Sequence, residues 1–116
     1  YIYSDENDEH FADFQAMENQ LKTLRTLEDK SYRLLRLPFP EAIYDNGVRL
    51  PATYANFVIL NHSVLCPTYA QPYRDGQAMS QLQKAFPGRK IIGIDARTVI
   101  RQHGSLHCLT MQFPKI

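Results

Sequence analysis

The sequence predicts an α/β fold, and three features of it carry that prediction. Two stretches with helical spacing of apolar residues, 10–27 and 75–86, each stand between short runs of strand length. Those runs are rich in β-branched residues and are closed by Pro, Gly or Asn. The order reads strand, helix, strand, loop, strand, strand, helix, strand, short helix, strand, so a strand–helix–strand unit occurs about twice.

Tyr1 to Tyr3 read as the end of a strand, followed by the polar loop "SDENDEH". Ser4, Asp5 and Asp8 are candidate N-caps, and their acidity suits the positive end of a helix. Asp5, Glu6, Asp8 and Glu9 otherwise read as a solvated loop. Phe11, Phe14, Met17, Leu21 and Leu24 recur at three- and four-residue steps and define one apolar stripe. "SYRLLRLPFP" is a short strand ended by Pro38 and Pro40. The stretch 41–55 is irregular, with a turn at Asn46-Gly47. "ANFVILN" and "SVLCPTY" form a buried hairpin with Asn61-His62 at its tip. Asp75 opens the second helix, which presents Ala78, Met79, Leu82 and Phe86 on one face and stops at Gly88. "KIIGIDA" is the next strand, 97–101 a short helical turn, and "SLHCLTMQF" a final strand.

With 116 residues, 44% hydrophobic and 22% charged, this is one modest globular unit. A net charge of +1 gives no electrostatic case for nucleic acid or an anionic membrane, and no apolar run reaches the length of a membrane span. Two cysteines are too few for a disulfide scaffold, so a reducing, cytoplasmic setting is expected. The chain opens on strand-like sequence and stops soon after an apolar run. The expectation is therefore a piece of a longer protein, its strand edges covered by the rest of its own domain or by a second copy.

Cys108 carries the choice between packing and chemistry. A free cysteine is most simply a small buried hydrophobe. As a nucleophile it needs a positive neighbour or a base, and a pocket. On a strand, His107 and Cys108 would point to opposite faces, so a base would have to come from elsewhere, with His62 and His103 as the candidates within the chain. Gly104 lets backbone approach a ligand closely. Cys66, before Pro67, reads as core. His10, His62, His103 and His107 with the two cysteines match no zinc spacing, so no metal is expected.

Several blocks in series resemble the C-terminal part of the agmatine deiminase family, also described as Porphyromonas-type peptidylarginine deiminases. They are Thr53, Tyr54, Asn56 and Phe57; Pro67 and Tyr69; Phe86, Pro87 and Arg89; and Gly104, His107, Cys108 and Thr110. Many relatives carry three glycines before the His-Cys pair, where this chain has Gln102, His103 and Gly104. The resemblance implies a pentein-type α/β propeller, of which residues 1–116 would be the C-terminal portion of a single catalytic domain with about two strand–helix–strand units. It implies a cofactor-free hydrolase that converts agmatine to N-carbamoylputrescine and ammonia through a covalent amidino-thioester on Cys108. Gly104 would line the substrate site. A peptidylarginine deiminase, or a non-catalytic guanidine-binding module, is the alternative. The family's catalytic histidine and guanidinium-binding acids lie upstream in a G-H-x-D motif that does not occur here, so the chain alone is expected to be inactive.

Overall fold

The computed structural model describes residues 1–115. Two βαβ units stand in series. In the first, β1 (Ile2–Tyr3) runs parallel to β2 (Leu37–Pro38), with α1 (Phe11–Thr23) between them. In the second, β5 (Val58–Ile59), β6 (Ser63–Thr68) and β7 (Lys90–Asp95) form a sheet in the order β5-β6-β7. β5 and β6 are antiparallel; β6 and β7 are parallel and joined through α2 (Pro72–Ala85), which makes a ββαβ unit. Between the two units, β3 (Tyr44–Asp45) and β4 (Val48–Arg49) form a small hairpin. Its turn is Asn46-Gly47, with φ of 48° and 77°, the positive values that a two-residue hairpin turn requires. The irregular stretch thus contains a hairpin.

β6 occupies the middle of the second sheet because its sequence tolerates burial there. Val64 and Cys66 are fully buried. Pro67, which cannot donate a ladder hydrogen bond, falls beyond the two-residue reach of β5, where β6 has only β7 beside it. The hairpin expected at Asn61-His62 forms, with Leu60 N–H donating to Ser63 O at 2.8 Å. It is buried on one side only, since Ile59 and Leu60 remain exposed. One core runs through both units: Leu37 from β2, Tyr54, Val58, Val64, Ala78 and Leu82 from α2, Ala96 and Ile100. α2 touches β2 as well as its own sheet, and so joins the units.

α1 ends at Thr23 rather than near Leu27. Leu24 turns extended, and Thr26 to Lys30 close a tight loop in which Thr26 N–H donates to Lys30 O at 2.9 Å. Leu24 and Leu27 therefore lie outside the apolar stripe and are exposed. The N-cap is His10 rather than Ser4, Asp5 or Asp8; Asp8 Oδ1 accepts the His10 N–H at 2.9 Å. Nor is the acidic loop simply solvated. Arg49 pairs with Asp8 and Glu9, and Arg74 with Asp5, which straps the loop to β4 and α2. α2 starts at Pro72, a good first helical residue, and is capped at Phe86. Gly88 lies two residues further on without a positive φ, so it is not the helix stop.

The buried polar residue of α1 is Glu18. It accepts from Arg36 at 2.7 and 2.8 Å, from Tyr1 Oη at 2.7 Å and from Lys22 at 2.6 Å. Hydrogen bonds from Arg36, then Lys22, hold its carboxyl near 2, down from an ordinary 4.5. A depressed acid stabilises the fold above its unfolded pKa, and that contribution is lost as pH falls through the folded value. Between about pH 4.5 and 2, acid unfolding followed by circular dichroism will therefore be steeper in the wild type than in Glu18→Gln. Identical acid profiles would show that the cluster adds no stability.

Candidate active site

The segment expected as a final strand is not one. Val99–Gln102 and His107–Leu109 are single 3-10 turns, and residues 111–115 form no ladder. The reason lies in residues 53–57. The His107 N–H donates to both Asn56 O (3.2 Å) and Asn56 Oδ1 (2.6 Å), so an amide that a strand would offer to a neighbour is taken by a distant loop instead. His107 and Cys108 therefore do not diverge as strand neighbours, because they sit on one helical turn.

Two anchors hold this loop. Ile100 and Ser105 are fully buried and Leu106 nearly so, while His107, Cys108 and Leu109 face outward. Ser105 Oγ lies 2.9 Å from Tyr69 Oη, which accepts the Thr53 N–H at 3.0 Å and donates to Thr53 O at 2.9 Å. With Ser105 donating, every group around the phenol is satisfied. A second hub is Asp75. Its Oδ1 accepts from Tyr54 Oη (2.6 Å) and Tyr69 N–H (3.0 Å), and its Oδ2 from Gln71 N–H (3.0 Å). Tyr54 itself is fully buried. The sequence reading took Asp75 only as a helix start.

Cys108 is exposed, and its Sγ accepts from Asn56 Nδ2 at 3.2 Å. That hydrogen bond, then the Ser105 backbone, lowers its pKa below the ordinary thiol value. Cys66 is the opposite case. Burial, and secondarily the charge of Asp75, pushes its thiol up to about 12, so it packs and does not react. Gly104 lies against Cys108: a Cβ there would come 2.9 Å from Cys108 Cβ and 3.2 Å from Sγ. Among the described residues, no histidine hydrogen-bonds to the sulfur, neither His62 nor His103. A hollow of about 360 Å³ lined by Asn56, Phe57, His107 and Gln112 adjoins the loop. No group of His, Cys, Asp and Glu among the described residues is arranged to hold a metal ion, and no helix is long and apolar enough to cross a membrane.

A family model described as Porphyromonas-type peptidyl-arginine deiminase matches residues 1–114. The chain belongs to this family. It superposes on a crystal structure from Porphyromonas gingivalis, described provisionally as an arginine deiminase, with a TM-score of 0.94 and 53% identity over 99% of the chain and 34% of that protein. It is also similar to C. jejuni agmatine deiminase in a form with one cysteine changed to serine and substrate bound. There the TM-score is 0.80, with 41% identity over 92% of the chain and 30% of that protein. Agmatine deiminase of Pseudomonas putida is 28% identical over 95% of the chain and 34% of its own length. The chain thus spans about a third of the length of these deiminase relatives.

The deiminase blocks of the sequence meet in space. Phe57 packs edge-to-face on Phe86 at 5.8 Å, and Arg89 Nε donates to Leu60 O at 3.0 Å. Thr110 Oγ1 donates to His107 O at 2.8 Å and closes the turn that carries Cys108. Sequence reasoning placed Asn56 in a family block but gave it no task. The available signal was its position three residues after Thr53 in a loop before a strand, where an Asn side chain binds backbone.

Proposed function

We propose that this chain carries the nucleophile of a guanidine deiminase that acts on agmatine. The observation that supports this most is the Cys108 thiol: exposed, lowered in pKa by a neutral donor, and set in a chain matched almost end to end by a deiminase family. A guanidinium is a resonance-stabilised cation and a poor electrophile, so it calls for a strong nucleophile. The Cys108 thiolate attacks the guanidinium carbon, and the C–N bond to one terminal nitrogen breaks. That nitrogen leaves as ammonia after taking a proton. Water then adds to the amidino-thioester carbon, the C–S bond breaks with its electrons returning to sulfur, and N-carbamoylputrescine departs. Gly104, bare of a side chain, lets the backbone lie close against Cys108, where a Cβ would come 3.2 Å from Sγ.

The proton-handling histidine and the carboxylates that clamp the guanidinium would come from outside residues 1–115, from the remainder of one pentein-type domain. The ββαβ unit β5-β6-α2-β7, preceded by a βαβ unit, is consistent with two neighbouring blades of such a propeller. Met111 and Phe113 are exposed beside the β5–β6 hairpin, an apolar face that the rest of the domain would cover.

The family's own description favours peptidyl-arginine as a second substrate reading. Ammonia release from agmatine, free arginine and an arginyl peptide, measured on the protein as its gene encodes it, separates the two. Turnover of agmatine at least tenfold above the peptide is expected. Preference for the peptide would move the assignment, and no release from any of the three would leave a guanidine-binding module.

A further inference from the structure

We infer that Asn56 is the positioning residue of the Cys108 thiolate, its carboxamide donating to the sulfur as well as tying the loop. The inference rests on the reading of Cys108 as nucleophile and assigns that site a further residue. The orientation of the amide is fixed by its partners. Oδ1 lies 2.6 Å from the His107 N–H and 3.4 Å from the Cys108 N–H, two donors that only the oxygen can accept. Turning the amide over would set an NH2 against those N–H groups. With Oδ1 held, Nδ2 faces Sγ at 3.2 Å. The sulfur is confined on another side by Gly104, where there is no room for a Cβ.

The residue is itself held in place. Asn56 N–H donates to Thr53 O, and Thr53 is gripped at both its N–H and its carbonyl by Tyr69 Oη. Tyr69 in turn bonds to Ser105, three residues before the sulfur. The bonds form a closed ring from Cys108 through Asn56, Thr53, Tyr69 and Ser105 back along the chain. A neutral donor also suits the substrate class. A lysine, arginine or imidazolium beside the sulfur would favour thiolate but repel an incoming guanidinium, whereas a carboxamide favours thiolate without adding positive charge.

The test is the pH dependence of Cys108 alkylation by iodoacetamide, a neutral reagent, mapped by mass spectrometry on the protein as encoded. Asn56→Asp keeps the Oδ1 acceptor, removes the donor and sets a carboxylate beside the sulfur, two changes that both disfavour thiolate, whereas Asn56→Ala removes the donor without adding charge. We expect alkylation at pH 7 to slow by roughly three- to tenfold in Asn56→Asp, with rates converging at alkaline pH where the thiol is fully ionised. Asn56→Ala should slow it as well. Protection of Cys66 from the reagent reports folding in each variant. If Asn56→Ala loses that protection, Asn56→Asp decides; loss in both would make Asn56 a structural tie and overturn the inference. An Asn56→Asp profile that superimposes on the wild type would also overturn it. These outcomes are independent of turnover, so they stand apart from any failure of the deiminase reading, which activity in a Cys108 variant would expose.

Discussion

On the proposed deiminase reading, replacing Cys108 by alanine is expected to lower agmatine hydrolysis by on the order of 10⁴-fold or more, the loss that follows removal of the group proposed to form the covalent intermediate. The measurement is ammonia release by the protein as its gene encodes it, beside the wild type at saturating substrate. The variant should fold normally, because the side chain is exposed and Asn56 Nδ2, its side-chain partner among the described residues, can bond to water in place of the sulfur. Near-wild-type thermal unfolding with activity gone separates chemistry from folding. Retained activity in the alanine variant would falsify the nucleophile assignment, since Cys66, the other cysteine of this chain, is enclosed in the core.

The second large effect is on stability. Asp75→Ala will destabilise the protein by about 3–5 kcal/mol in urea unfolding, because it strands several donors at once. The phenol of fully buried Tyr54 and the N–H groups of Tyr69 and Gln71 all lose their acceptor. Tyr54→Phe is the informative comparison. It removes one donor and leaves Asp75 with two backbone partners, so it should cost about 1–2 kcal/mol. Equal effects of the two substitutions would mean that the backbone bonds at the start of α2 contribute little. Asp75 also governs the site indirectly. Tyr69, which it fixes, is the residue that ties Thr53 and Ser105 together.

Much of the fold could be read from residue order. The three-and-four spacing of Phe11, Phe14, Met17 and Leu21 makes a helix almost wherever it is placed, because one face must find apolar cover. Val64 and Cys66 in a run of β-branched and small residues make a buried strand for a similar reason. What misled was "SLHCLTMQF". Its apolar residues suit a strand, but a strand exists only where a neighbour supplies ladder partners, and Asn56 takes the His107 N–H instead. The acidic loop misled in the same way. Asp8 and Glu9 look solvated until Arg49, some forty residues on, is brought beside them by the β3–β4 turn.

The sequence alone determined the α/β class and the two βαβ units, which depend on local spacing, and carried the family resemblance, which singles out Cys108 as the candidate nucleophile. Only the tertiary structure decided that Cys108 is exposed rather than packed, that Asn56 rather than a histidine addresses the sulfur, and that Asp75 and Tyr69 brace the loop. Those facts depend on burial and on contacts between residues up to 52 positions apart. No periodicity in one dimension encodes which distant group fills the remaining hydrogen-bond position of a side chain. That is set by where the chain closes on itself.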